Sequence, residues 1–365
     1  MSLRIFHLLP STAEAGAGLA SAVAGLSRAQ QQRGLRVRIQ GAEQMPRLGR
    51  TAGLAQLAEH SNAEVVHSHG LWLEASRASR RLRRSGLPTV VAPHGMLDPW
   101  AWQRRRVLKQ LLWWLGESDT VQRAGCLQAL CRAEVEAIRF LGIRTPIAHI
   151  PNGVELPDRS QPLPLPPWQG QVPQGARVLL FLGRFHIKKG LVPLLQAWQR
   201  WATRPVSDPA AWLVFVGFGD QGALAAQVSR EAVPRCLVLG PVQGLLKQSC
   251  LAHASGFVLP SFSEGLPMAA LEAMSWGLPC LLSSACNLPE AFESGAALPA
   301  EPDVAQLEQA LQTWATLTPA DALALGTAAE QLMRRQFSWS RVAEQSEQLY
   351  RWLLQSGPTP DFVNV

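Results

Sequence analysis

The sequence predicts an α/β protein built from two doubly wound, Rossmann-like domains, each a parallel sheet with helices on both faces. Three observations lead there. Both halves alternate short apolar runs of strand length with longer stretches of helical periodicity, the pattern of repeated βαβ units. A proline-dense segment over residues 157–173 separates the halves and can hold neither a helix nor a central strand. The chain has 365 residues and is 47% hydrophobic, enough for two cores of ordinary size.

In the first half the strand candidates are residues 3–9, 35–39, 64–69, 88–93, 126–130 and 147–150, with helical stretches over 18–33 and 132–140. Gly16 and Gly18 flank Ala17 in the loop after the first strand. A dinucleotide fingerprint needs a third small residue at position 21 and an acid after the second strand; Ser21 and Gln40 stand there, so NAD binding is not expected. In the second half, strands are expected near 178–182, 212–217, 237–239, 256–259 and 279–282, each followed by a turn and a helix. Asn152-Gly153 marks a turn of positive φ at the domain junction, and Ser338 or Ser340 is placed to cap the last helix.

Two segments carry chemistry. In residues 261–280 an apolar strand gives way to Glu264, and Gly265 and Pro267 mark a tight turn into a helix that carries Glu272. The N–H groups of Leu266, Met268 and Ala269 then face outward at the positive end of the helix dipole, a ready anion site. A carboxylate beside it can accept from sugar hydroxyls, and one about a turn and a half further on can bracket a ribose diol. In residues 178–190 a strand ends in Gly183, and Arg184 and Lys189 precede a helix over 190–201. Two cations at the carboxyl end of a strand would clamp a diphosphate without a metal. Each feature alone has a plainer reading, as a surface acid, a capped helix or a solvated cation, and His186 and Lys188 read as solvated. The two motifs together, in this order, carry the specificity.

With these segments, His67-Ser-His-Gly70, Pro93-His-Gly-Met-Leu-Asp-Pro-Trp-Ala101 and Ile150-Pro-Asn-Gly-Val154 make the chain resemble the retaining nucleotide-sugar glycosyltransferases of family 4 over nearly its whole length. The block around His94 is similar to a subgroup that builds bacterial surface polysaccharides. The resemblance implies the GT-B architecture: an acceptor-side domain over residues 1–156, a linker over 157–175 and a donor domain over 176–337, facing a cleft. A last helix, about 338–356, is implied to cross back to the first domain. It also implies site roles. His94, Arg184, Lys189 and Glu264 would be catalytic. Gly16, Gly18, Gly183, Gly265, Leu266, Pro267, Met268 and Glu272 would bind the donor, although Ala17 splits the glycine pair usual in the first loop.

Composition and motifs bound the rest. No apolar run reaches eighteen residues, and the N-terminus lacks the features of a signal peptide. The six cysteines, without a Cys-x-x-Cys pair, read as buried thiols of a cytoplasmic protein. The formal charge of +7 concentrates in Arg77, Arg80, Arg81, Arg83 and Arg84 and in Arg104, Arg105, Arg106 and Lys109. The second cluster precedes Leu111-Leu-Trp-Trp-Leu115, so it reads either as a helix packing its tryptophans inward or as a peripheral contact with the inner face of an anionic membrane. No stacking aromatics interleave the basic residues, which speaks against nucleic acid. His67 and His69 share one face of a strand, where metal binding, packing and an acceptor-side role all remain open. No third metal ligand and no Asp-x-Asp motif is evident, so neither metal nor cofactor is expected. The expected activity is transfer of a hexose from a nucleotide-diphosphate sugar to a glycan or polyprenyl-linked glycan. A nucleotide-sugar epimerase of the same architecture and a non-catalytic nucleotide-sugar-binding subunit are the alternatives.

Overall fold

The computed structural model describes every residue except 1, 13–16, 104–105, 205–207 and 209. Gly16, Arg104 and Arg105 therefore lie outside the described residues. The chain forms two compact units, one of Met1–Gly153 with Phe337–Val365, the other of Val154–Gln336. Strands β1 (Arg4–Leu9), β2 (Arg36–Gly41), β3 (Val65–His69), β4 (Thr89–Ala92), β5 (Cys126–Ala129) and β6 (Ile147–His149) build the first sheet. Strands β7 (Arg177–Phe185), β8 (Ala211–Gly219), β9 (Cys236–Leu239), β10 (Gly256–Leu259), β11 (Cys280–Leu282) and β12 (Ala297–Pro299) build the second. The short β13 (Val363–Asn364) joins the first sheet antiparallel to β6, an edge pairing that no sequence pattern announced.

The sheet orders are β13-β6-β5-β4-β3-β1-β2 and β12-β11-β10-β7-β8-β9. Apart from β13, every paired strand runs parallel. The central strands β3, β4, β5 and β10 are buried along their whole length; β10 accordingly reads as an unbroken apolar run, whereas β3 buries His67, Ser68 and His69 and β5 buries Gln128. In each sheet the strand order reverses beside the first strand, between β1 and β3 and between β7 and β10. Ligands of open α/β sheets bind outside the carboxyl ends of the strands at such reversals.

Residues 157–175 are not a free connector. Trp168 is buried, Ser249 Oγ donates to the Pro164 carbonyl over 2.6 Å, and Arg159 pairs with Glu330 at 2.8 Å, so the segment packs on the second unit. The C-terminal helix Trp339–Leu353 packs in the first unit against the helix Ala17–Gln32 through Tyr350 and Trp339. Ser338 occupies its N-cap position, yet no side chain caps the helix. Gly153 does not adopt positive φ; a Cβ there would lie 2.3 Å from the Trp339 ring, so close packing is what requires glycine. All six cysteines are free, and burial raises the thiol pKa of five of them. Among the described residues no helix is long and apolar enough to cross a membrane.

Candidate active site

In the second unit the two predicted motifs meet at the strand-order reversal. Arg184 lies in the last residues of β7, exposed and without an ion-pair partner among the described residues. Lys189 follows in a single 3-10 turn, and Gly190, at φ +69°, starts the helix Leu191–Ala202. Across from it the loop after β10 carries Ser261 and Glu264. Lys189 Nζ donates to Glu264 Oε1 over 2.5 Å, and the Ser261 hydroxyl donates to the same oxygen over 2.6 Å. Only 14% of the lysine side chain and 6% of the glutamate side chain are exposed. A cation and an anion buried together satisfy each other where either alone would carry a large desolvation cost.

Three residues that sequence reasoning missed or treated as solvated complete this site. Lys188 Nζ stands 3.8 Å from Glu264 Oε2, and the His186 ring accepts from the Lys188 backbone N–H, so neither is merely solvated. Asn287, itself at φ +57°, donates its amide to the carbonyls of Glu264 (2.7 Å) and Gly265 (2.9 Å), which fixes the loop. The loop then enters the helix Met268–Ser275 through Leu266 and Pro267, with no side chain capping the helix start. Helices leave their first N–H groups without intrahelical partners, so those of Met268 and Ala269 remain available to an anion. Glu272, inside the helix, pairs with Lys247 Nζ at 2.7 Å. Gly183 sits in β7 one residue before Arg184, and Gly18 in the helix Ala17–Gln32 of the first unit.

His94 lies in the first unit, in the turn after β4. It holds φ +54°, unusual for a non-glycine residue and costly unless its surroundings impose it. They do. The next residue, Gly95, donates its N–H to Glu134 Oε1 over 2.6 Å, and Glu134 Oε2 accepts from Leu130 N–H at 2.8 Å. Burial raises the Glu134 pKa to about 7. The His94 ring meets His69, which meets His7; burial holds His94 and His7 down at about 4 and His69 and His67 well below the usual histidine value.

His7 is the third histidine that the sequence did not reveal. It pairs in register with His67 across β1 and β3, and one ring nitrogen from each of His7, His67 and His69 falls within 4.8 Å of the others. The rings of His67 and His69 stack at 4.2 Å with 26° between their planes, and His7 Nδ1 and His69 Nε2 already engage each other at 2.8 Å. That arrangement suits neutral stacked imidazoles better than a tetrahedral metal centre.

A family model described as a glycosyl transferase 4-like domain matches residues 21–153, and one described as glycosyl transferases group 1 matches residues 176–316. The chain is 32% identical over 197 residues to the O-antigen chain mannosyltransferase B of Escherichia coli, covering 51% of this chain and 47% of that protein. It is 28% identical over 232 residues to the GDP-mannose:cellobiosyl-diphosphopolyprenol alpha-mannosyltransferase of Xanthomonas campestris, covering 61% and 56%. The matches thus span about half the length of these curated relatives. Among solved structures, the sucrose-phosphate synthase of Thermosynechococcus elongatus shares the fold with a TM-score of 0.79 at 19% identity, over 97% of this chain and 100% of that one. The Anabaena HepE protein in complex with UDP and glucose does so with a TM-score of 0.73 at 17% identity, over 95% and 99%. With one family model on each of its two sheets, the chain belongs to the family 4 type of glycosyltransferases of the GT-B fold.

Proposed function

We propose that the protein transfers a hexose from a nucleotide-diphosphate sugar to a glycan or polyprenyl-linked glycan, with retention of anomeric configuration and without a metal on the diphosphate. The observation that carries this reading is the buried Lys189–Glu264 pair beside exposed Arg184, at the reversal of the second sheet. Arg184 and Lys189 hold the diphosphate and stabilise the negative charge that grows on it as the sugar leaves. Glu264 orients the donor sugar, and the turn Gly265-Leu266-Pro267-Met268 presents backbone N–H groups to the phosphates. Gly183 keeps the end of β7 open to them, and Gly18 is assigned to donor binding, as is Gly16, which lies outside the described residues. His94 is assigned to the donor sugar. Glu272 takes the ribose hydroxyls, oriented by Lys247. The names of the mannosyltransferase relatives make GDP-mannose the first donor to test.

Glu272→Ala is expected to weaken nucleotide binding about tenfold, the equivalent of about 1.4 kcal/mol, while turnover at saturating donor changes little. Calorimetry with the nucleoside diphosphate reads this directly. An unchanged affinity removes Glu272 from the ribose site.

The proposal extends to a membrane surface on the acceptor side. In the helix Arg106–Leu112 and the turn after it, Val107, Leu108, Leu111, Trp114 and Leu115 repeat at the spacing of one helical face. That face is solvent-exposed: Val107 is 81%, Trp114 86% and Leu115 66% accessible. Trp113 packs inward, against Trp72 and Trp102. Arg80 donates to the Leu115 carbonyl over 3.3 Å, and Arg77, Arg81 and Arg84 are exposed on the same helix Glu74–Arg84. An apolar ridge bordered by arginines matches an anionic bilayer. Trp114→Ser with Leu115→Ser is expected to cut cosedimentation with phosphatidylglycerol vesicles at least about tenfold. Undiminished cosedimentation would remove the membrane from the reading.

A further inference from the structure

We propose that Gln30, His7 and His69 form a hydrogen-bonded relay that fixes the tautomer of His94, with its proton on Nε2 and its Nδ1 left as an acceptor for a substrate hydroxyl. The relay rests on geometry in the first unit; the substrate half rests on the assignment of His94 to the donor sugar.

The direction of each bond follows from the one before. Gln30 Nε2 donates to the Tyr350 hydroxyl over 3.0 Å, which turns its Oε1 toward His7 Nε2 at 2.9 Å. A carbonyl oxygen only accepts, so His7 carries its proton on Nε2 and its Nδ1 is a lone pair. His69 Nε2 lies 2.8 Å from that lone pair and must donate to it. The other His69 nitrogen, Nδ1, is then an acceptor, and His94 Nε2 at 3.0 Å donates to it. Each ring has one proton to place, and three successive bonds place all three. This assignment holds while the imidazoles stay neutral, which their burial enforces: His7 and His69 are almost wholly enclosed, and the His7 and His94 pKa values sit near 4.

The orientation of the last ring is equally constrained. His94 is held in a left-handed backbone conformation by the Gly95–Glu134 bond, and its side chain closes on His69. Strain of this kind persists where surrounding structure over-determines it, and it marks functional positions. Gln30 and His7 are fully buried and act through His69 and His94; they are positioning residues. Gln30 sits on the helix Ala17–Gln32 and Tyr350 on the helix Trp339–Leu353, so the relay ties the chain's last helix to the turn after β4.

Protein labelled with 15N in its histidines tests the relay by NMR, because ring nitrogen shifts separate the two neutral tautomers. In the wild type His94 should be protonated on Nε2 by more than about tenfold over Nδ1. Gln30→Met keeps the volume and removes the acceptor, and should bring that ratio close to unity with the melting temperature shifted by only a few degrees. His7→Phe, which removes the next acceptor, serves if Gln30→Met does not fold, with the same expectation. A wild-type proton on Nδ1, or a ratio unchanged in a folded variant, overturns the relay. With GDP-mannose, Gln30→Met should lower kcat about tenfold and leave the donor KM unchanged. If the wild type turns over no nucleotide sugar, the substrate half fails while the NMR result still decides the relay.

Discussion

Lys189→Ala is expected to lower kcat/KM roughly 10²- to 10³-fold, the loss typical of removing one preorganised group that stabilises developing transition-state charge. Arg184 remains in this variant, which keeps the loss short of complete. The same substitution also costs stability, and here the structure changes the expectation. A solvated lysine could be removed without consequence for the fold, but Lys189 is one of three groups tied together with Glu264 and Ser261, and its charge balances the buried carboxylate. Removing one partner of a buried ion pair costs about 3–5 kcal/mol. Lys188 at 3.8 Å and the Ser261 hydroxyl at 2.6 Å keep partial compensation, so the lower end of that range, about 3 kcal/mol, is expected. Lys189→Met with Glu264→Gln removes both charges and should recover most of that stability without recovering activity. Thermal melts and steady-state kinetics on the single and double variants separate the two effects. A single variant that retains turnover within tenfold would take the diphosphate clamp out of the mechanism.

The division between what sequence could and could not reveal follows interaction range. Strands such as β10 and β7 were legible because burial on both faces leaves an unbroken apolar run, and the expected strand near 178–182 lies inside the observed Arg177–Phe185. That the two motifs meet was legible, since the doubly wound order brings both strand ends to one edge, but the ion pair between Lys189 and Glu264 was not. The partners of those motifs were not. Lys247 reaches Glu272, and Asn287 reaches Glu264, from segments with no local signature of their own. His67 and His69 could be placed on one face by their spacing, yet the strand that supplies His7 is set by register between β1 and β3, which no periodicity encodes. Proline density at 157–175 correctly excluded regular structure there and said nothing about packing, which Trp168 and Arg159 decide. The tryptophans at 113 and 114 divide between inside and outside because consecutive residues of a helical turn point about 100° apart.

Gly190→Ala should be as damaging as removing Lys189, by a different route. Gly190 joins the turn that carries Lys188 and Lys189 to the helix Leu191–Ala202, and it does so at φ +69°. An L-residue in that region costs about 1 kcal/mol by itself. The larger effect is steric. A Cβ at this position would lie 1.9 Å from the Pro260 carbonyl oxygen, and a backbone atom has no rotamer by which to yield. The loop after β7 and the loop after β10 must therefore part. Their direct tie, the Phe262 N–H donating to the Lys188 carbonyl at 2.7 Å, sits beside the clash, and the Lys189–Glu264 pair spans the same gap. A displacement of about 1 Å between catalytic groups can cost on the order of 10²-fold in rate, so kcat/KM should fall at least that far, with a stability loss above about 2 kcal/mol. Gly222→Ala provides the contrast: it lies in the helix Gln221–Arg230 of the same unit, at no positive φ and with open space where the methyl would go. There alanine should stabilise by about 0.5–1 kcal/mol and leave turnover unchanged. If Gly190→Ala melts and turns over like the wild type while Gly222→Ala behaves as stated, the close approach of the two loops is not what holds the site together.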